Sequence, residues 1–286
     1  MAAWVLTAAA RSHRGLLLED NEDNFYLNGR WMPLATMRHG DRATLESDGA
    51  FQLYAVCDGM GGTQSGGQAS HAAVEALGAL QAEHPDGVTD WELLASLAVL
   101  TDRIRALPAK PEAHTGTTLT ALLWQGQAVR VLNLGDSRVY RLRGRELRQL
   151  TTDHSEVQRM VGLGLMTPFQ ARLSPWRHLI LRYLGLPSDD PAFQPYLSAP
   201  MPAQAGDRYL LCSDGLADML EDDALRRILL RARDAAEAAD RLVQQALDNG
   251  GRDNVTALCV RFPGSSRFFL PRRQSRPTAI AAGHER

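Results

Sequence analysis

Three aspartates stand where apolar runs stop: Asp58 after Tyr54-Ala55-Val56-Cys57, Asp136 after Leu132-Asn133-Leu134-Gly135, and Asp214 after Leu210-Leu211-Cys212-Ser213. Two further acidic clusters flank them, Asn21-Glu22-Asp23 near the start and Arg252-Asp253-Asn254 near the end. An apolar run closed by Asp-Gly, as at Asp58-Gly59 and Asp214-Gly215, is how a buried strand delivers a carboxylate to the rim of a sheet. Singly, such pairs are ordinary turns. Converging on one rim, the carboxylates would repel each other and suffer desolvation unless cations neutralise them. The pattern therefore points to a metal-dependent enzyme whose ligands are nearly all oxygen.

The elements that must position these residues are written in the hydrophobic pattern. Runs rich in Val, Leu and Tyr predict strands over 51–57, 119–124, 128–134, 138–143, 146–150, 207–212 and 255–262, with a first strand in the opening ten residues. Arg143-Gly144-Arg145 and Gln125-Gly126-Gln127 read as hairpin turns. A helix over 70–81 repeats Ala73, Val74, Leu77 and Leu80 on one face. Thr89 with Glu92 forms a capping box ahead of Leu93, Leu94, Leu97, Leu100 and Ile104. Thr167-Pro168 with Gln170 forms a second, with Pro at the first helical position. Two more helices are expected over 222–233 and 235–247, the latter ended by Asn249-Gly250-Gly251.

Strands linked by hairpins alternate with helices in blocks, without a βαβ rhythm. That favours an α+β domain of antiparallel sheets covered by helices. Residues 28–49 read as an extended surface connection, and 264–286 as a flexible tail. Trp4, Trp91 and Trp124 read as core, His154 as a structural hydrogen-bonding residue, and His178 as a surface residue.

With 286 residues and 44% hydrophobic content the chain can bury a large core, as one big domain or two small ones. A formal net charge of −2 provides no basic field for nucleic acid or anionic lipid. No apolar stretch approaches the roughly 20 residues that cross a bilayer. The first charge follows the apolar start, opposite to a signal peptide. Cys57, Cys212 and Cys259 are odd in number and lie inside apolar runs. They read as buried reduced thiols, which implies a cytoplasmic protein.

Taken in order, Asn21-Glu22-Asp23, Asp58-Gly59-Met60-Gly61-Gly62, Gly116-Thr117-Thr118, Gly135-Asp136-Ser137-Arg138, Asp153-His154-Ser155, Ser213-Asp214-Gly215 through Asp218, and Asp253-Asn254-Val255-Thr256 form one series. The series resembles the protein phosphatase 2C (PPM) family of metal-dependent protein serine/threonine phosphatases, in its bacterial form, over about residues 7–262. The resemblance implies a central β-sandwich of two antiparallel sheets flanked by α-helices, a four-layer α-β-β-α arrangement. It implies a single domain over 1–263 with a flap at about 153–185 beside the catalytic cleft.

Two Mn²⁺ or Mg²⁺ ions would be held by Asp23, Asp58, Asp214, Asp253 and the Gly59 carbonyl, with Glu22 orienting water. A third ion would fall on Asp136, Asp214 and Asp218. Carboxylates and a carbonyl suit such hard cations. A metal-bridged hydroxide would attack phosphoserine or phosphothreonine in line, and Gly59, Gly61 and Gly62 would let the backbone approach metal and phosphate. The partner would be a phosphorylated protein, such as a Ser/Thr kinase or its target, and the enzyme a monomer. Two alternatives stand beside this: a phosphatase-like regulatory module that binds phosphoprotein with weak turnover, and a phosphatase acting on a transcription-factor antagonist.

Three departures from the family pattern bear on mechanism. The family's phosphate-clamping Arg stands four residues before the Glu of the first motif; here that position is Leu18, which has no guanidinium fork. Positions where other members carry His are Met60 and Thr63. Gly67 replaces a frequent Glu. With both His positions lost, leaving-group protonation falls to water, so aryl phosphates should be hydrolysed faster than alkyl phosphates. Steady-state rates and pH profiles on the two classes check this; equal rates with parallel profiles contradict it.

Overall fold

The computed structural model describes residues 4–61, 65–108 and 115–264. Gly62, Thr63 and all but the first residue of the tail expected over 264–286 lie outside the described residues. Among the described residues, no helix is long and apolar enough to cross a membrane.

Two antiparallel sheets face each other. The first runs in the order Glu146–Gln149, Arg138–Arg143, Arg208–Cys212, Val255–Arg261, Leu6–His13, Arg42–Ser47. The second runs Tyr196–Leu197, Ala128–Leu134, Leu119–Gln125, Phe51–Cys57, Asn24–Leu27, with Met201–Pro202 also pairing to Ala128–Leu134. Helices Ser65–Glu83 and Asp90–Arg105 cover the second sheet, and Asp214–Ala217, Asp222–Arg231 and Ala235–Asp248 cover the first. This is the four-layer arrangement expected.

The layering explains why the strand sequences read as continuous apolar runs. In Val255–Arg261, Leu258 and Val260 enter the core between the sheets, while Val255, Ala257 and Cys259 pack under the outer helices. In Phe51–Cys57, Tyr54 and Val56 point inward, and Phe51, Leu53, Ala55 and Cys57 meet the opposite helix layer. Strands buried on both faces lose the polar alternation of a surface strand. All three cysteines are buried and free.

The hairpin at Gly126-Gln127 turns with both residues in the left-handed region, φ 59° and 67°, the geometry that matches strand twist. Both capping boxes form, with Thr89 and Thr167 each exchanging hydrogen bonds with the third helical residue.

Some expectations need correction. The helix placed over 70–81 runs Ser65–Glu83. The 28–49 stretch is not merely a connection: Arg42–Ser47 is an edge strand of the first sheet. Its burial alternates between exposed and half-buried, so no apolar run marked it. Trp91 is 78% exposed. The buried face of its helix is Leu93, Leu97, Leu100 and Ile104, and a residue two positions before Leu93 points about 200° away from it. Trp4 and Trp124 do pack together around Phe262, with ring centroids 5.1–5.8 Å apart.

Candidate functional site

Antiparallel register gathers the acidic residues at one end of the sandwich. In the second sheet Asn24 pairs with Cys57, so Asp23, just before one strand, lies beside Asp58, just after its neighbour. In the first sheet Cys212 pairs with Ala257, which sets Asp214, after one strand, near Asp253, before the other. Between them opens a cleft of about 520 Å³ lined by Glu22, Asp58, Gly59, Asp214 and Asp253. Leu18, Met60, His178 and Ile180 complete its apolar and flap sides. Asp23 lies fully buried behind this wall, and Asp136 is buried after Ala128–Leu134. Asp218 is about one-third exposed, with Oδ2 3.4 Å from Arg177 Nε of the flap.

The electrostatics are those of like charges forced together. Burial, then the charges of Asp23, Asp214, Asp136 and Asp253, hold the Asp58 carboxyl well above the usual range. Burial, then Asp214, does the same to Asp136. Asp23 is pushed up to about 7 by burial, against hydrogen bonds from Thr256 and Ser213 that favour its charge. Glu22, Asp218 and Asp253 are all raised, each chiefly by burial.

Several oxygens point to what is wanted there. Asp23 Oδ1, Asp136 Oδ1 and Glu22 Oε1 are buried and have no hydrogen-bond partner among the described residues, and buried polar atoms are rarely left so. Every candidate donor is an oxygen, which suits Mn²⁺ or Mg²⁺. Among the described residues the acidic side chains ring the cleft without closing three at a time into a coordination shell.

A polar scaffold holds these groups in place. The Ser213 and Thr256 hydroxyls donate to Asp23 Oδ2 at 2.8 and 2.7 Å. Asn254 Oδ1 accepts from the Glu22 amide at 2.7 Å, while its Nδ2 donates to the Arg14 and Asp20 carbonyls. One side chain thus staples the 14–22 loop to the Asp253 strand. Thr118 Oγ1 accepts from the Asp58 amide at 2.9 Å and lies 2.8 Å from Ser137 Oγ, which links Asp58 to the Asp136 turn. Arg138 forks onto Asp153 at 2.6–3.1 Å and anchors the base of the flap.

Gly59 has a packing duty besides the one expected of it. A Cβ there would lie 2.3 Å from the Gly66 carbonyl oxygen and 2.6 Å from that of Glu22. Its smallness lets the Asp58 strand press against the Ser65–Glu83 helix, whose Gly66 and Gly67 amides hydrogen-bond the Glu22 carboxylate.

Reasoning from sequence missed His178, Asn254, Ser213 and Thr256 as site residues. His178 Nδ1 lies 3.4 Å from Asp214 Oδ2, and this contact, foremost, raises its pKa. Its Trp176-Arg177-His178 setting offers no local periodic signal. Asn254 and Thr256 were visible only as part of a motif. His154 behaves as expected, its Nδ1 accepting from the Gly135 amide at 3.3 Å.

Four layers with a carboxylate-lined cleft at one end of the sandwich define the metal-dependent phosphatase class of folds, and comparisons narrow the class to a family. A family model described as Protein phosphatase 2C matches residues 37–250. The serine/threonine protein phosphatase PstP of Mycobacterium tuberculosis is 38% identical over 260 residues, covering 89% of this chain and 44% of that protein. This chain thus spans less than half the length of PstP. The serine/threonine phosphatase stp of Listeria monocytogenes is 32% identical over 259 residues, covering 88% of this chain and 94% of the other. The crystal structure of the PstP catalytic domain in complex with two manganese ions aligns with a TM-score of 0.74 at 36% identity, covering 91% of this chain and 99% of that one. The chain belongs to the protein phosphatase 2C family.

The raised carboxyls make a signed prediction. Asp23 rises from 3.8 to about 7 on folding, so between those values the folded state holds a proton that the unfolded chain has released. Its stabilisation is full below pH 4 and is lost as pH rises through 7. With chelator present, urea midpoints should fall from pH 4 to pH 7, with a contribution of roughly 4 kcal/mol from this group at about 1.4 kcal/mol per unit. Asp23→Asn should flatten the fall. A profile that climbs over this window in both proteins contradicts the assignment.

Proposed function

We propose that this chain hydrolyses phosphoserine and phosphothreonine in a partner protein, using two Mn²⁺ or Mg²⁺ ions at the acidic end of the sandwich. One observation carries the reading: buried Asp23 and Asp136 and half-buried Asp58 sit among further carboxylates, with orphaned oxygens on the two buried ones, and no Lys or Arg lines the cleft among the described residues. Asp23, Asp58, Asp214, Asp253 and the Gly59 carbonyl would hold the pair of ions. Bound there, the ions would offset the carboxylate and phosphate charge and acidify a water. Glu22, seated on the Gly66 and Gly67 amides, is the carboxylate on the cleft wall that can orient that water and hold its proton. Asn254 fixes the wall on which Glu22 sits. A third ion on Asp136, Asp214 and Asp218 would have to displace Arg177 from Asp218.

The domain is taken to end near residue 263, just after strand Val255–Arg261 completes its sheet. The relatives' serine/threonine phosphatase names support a phosphoprotein substrate, for which a kinase or its target is the partner assigned here. Three buried free thiols support a cytoplasmic location, and the working unit is taken as a monomer.

Leu18 on the cleft wall, where the phosphate-clamping arginine is expected, favours one second reading, a phosphoprotein-binding module with weak turnover. Of the arginines that could replace the clamp, Arg11 is tied to Asp240 of the outer helix. Arg177 is on Asp218, and Arg172 on Glu221. Arg14 donates to the Glu19 carbonyl at 3.4 Å and lies on the loop that carries Leu18.

Hydrolysis of an aryl phosphate and a phosphothreonine peptide should vanish with chelator and return with Mn²⁺. Asp58→Asn should lower kcat about 100-fold or more, by the usual effect of deleting a charge-stabilising group. Binding of the phosphopeptide without Mn²⁺-dependent turnover would establish the second reading instead. Leu18→Arg should lower KM for the peptide about tenfold, the worth of a charge-assisted fork. An unmoved KM would mean that another group, Arg14 first, already grips the phosphate.

A further inference from the structure

The cleft lies between two unusually apolar banks. Among the described residues fifteen large hydrophobic side chains are exposed, and nine of them fall in just two segments, 16–18 and 163–179. Leu18 from the first segment, and His178 and Ile180 at the end of the second, line the same cleft. The two segments are therefore both banks of one opening.

On the flap bank, Phe169 and Leu173 are one helical turn apart in Pro168–Leu173 and are 73% and 69% exposed, while Ala171 takes the buried side. Trp176 is 55% exposed just beyond them, and on the other bank Leu17 is 71% exposed. The flap is tied down by the Leu181 amide on the His154 carbonyl, the Glu156 amide on the Leu179 carbonyl, and the Arg172–Glu221 ion pair. Its apolar face is thus held outward on the segment whose end, at His178 and Ile180, lines the cleft. Exposed apolar surface of this density, rimmed by polar residues, marks an interaction site.

Position narrows the occupant. A chain whose phosphorylated residue sits in the cleft must pass between these banks on its way out. Charge narrows it further. Glu19 and Asp20 lie on the Leu18 side, and on the flap side Arg172 and Arg177 are already paired with Glu221 and Asp218, so acidic residues beside the phosphosite would be repelled.

We propose that Leu17 and Leu18 on one bank, and Phe169, Leu173 and Trp176 on the other, grip large apolar residues flanking the phosphoresidue, so that the chain selects apolar, non-acidic phosphosites. This rests on the phosphatase reading and gives it a substrate class. It also accounts for a leucine where a phosphate-gripping arginine is expected: hold on the phosphate is exchanged for hold on its neighbours.

The test compares three substrates in Mn²⁺: a phosphothreonine peptide with Leu and Phe two and three residues either side, the same peptide with Ser in those places, and an aryl phosphate, which has no flanks. A fourth peptide carries Asp in place of Ser. The apolar peptide should exceed the Ser peptide about tenfold in kcat/KM, mainly through KM, a difference of about 1.4 kcal/mol. The Asp peptide should be poorest. Phe169→Ser combined with Trp176→Ser should erase the preference and leave the aryl phosphate rate unchanged, which also reports that the variant is folded. Hydrolysis of all peptides at equal kcat/KM overturns this inference and leaves the phosphatase reading standing. A dimer in light scattering that Phe169→Ser dissociates also overturns it, since a second copy then covers the flap. No turnover of any substrate overturns the phosphatase reading and this inference with it.

Discussion

Forcing carboxylates of like charge into one end of a β-sandwich is the constraint around which the rest of the molecule is arranged. Asp23 and Asp136 are buried and Asp58 is half-buried, and each has its ionised form disfavoured by desolvation and by its neighbours. A flexible chain would relieve such strain by letting the side chains swing into water. This chain cannot, because the residues next to each carboxylate belong to strands buried on both faces. Cys57 and Cys212, one and two residues before Asp58 and Asp214, have no exposed surface at all. The two-sided core is therefore what keeps the repelling groups together, and a cation is the natural counterweight to what that core imposes.

The neutral hydrogen bonds around the site are best understood as orientation. Ser213 and Thr256 both donate to the same oxygen of Asp23 and leave the other unmatched. A carboxylate satisfied on both oxygens would have nothing left to offer a ligand; one satisfied on a single oxygen is aimed. Glu22 repeats the arrangement, with backbone amides of the adjacent helix on its carboxylate and Oε1 without a partner among the described residues. The close contact of Gly59 with Gly66 makes this possible, because any side chain at either position would push strand and helix apart.

Much of this was legible in the residue pattern, for a reason the layering supplies. Phe51–Cys57 and Ala128–Leu134 stand out because a strand with helices on one side and a second sheet on the other must be apolar along almost its whole length. Edge strands lack that signature. Asn24–Leu27 has four residues, and Arg42–Ser47 is nowhere fully buried, so neither declared itself. Glu156–Gly162, with seven residues, is too short for its periodicity to be read. At the site, the positions of Asp58 and Asp214 followed from local sequence, whereas their grouping with Asp23 and Asp253 came from family resemblance. The pairings of Asn24 with Cys57 and of Cys212 with Ala257 give that grouping a physical basis. The meaning of His178 could not be read locally, since it depends on a flap folding back across 36 residues to reach Asp214.

Through that contact the flap and the acidic floor communicate. The flap's cations rest on the same carboxylates that face the cleft: His178 on Asp214 at 3.4 Å, and Arg177 on Asp218 at 3.4 Å. A divalent ion that engages either carboxylate must compete with them, and both pairs are partly solvated, so neither is worth more than a modest fraction of an ion's binding energy. An ion on Asp214 would therefore win over His178, while the backbone bonds at Leu181 and Glu156 keep the flap seated. On the proposed reading the inner carboxylates would provide chemistry that any phosphate ester can use, and discrimination would be left to the outer rim, where exposed apolar side chains gather.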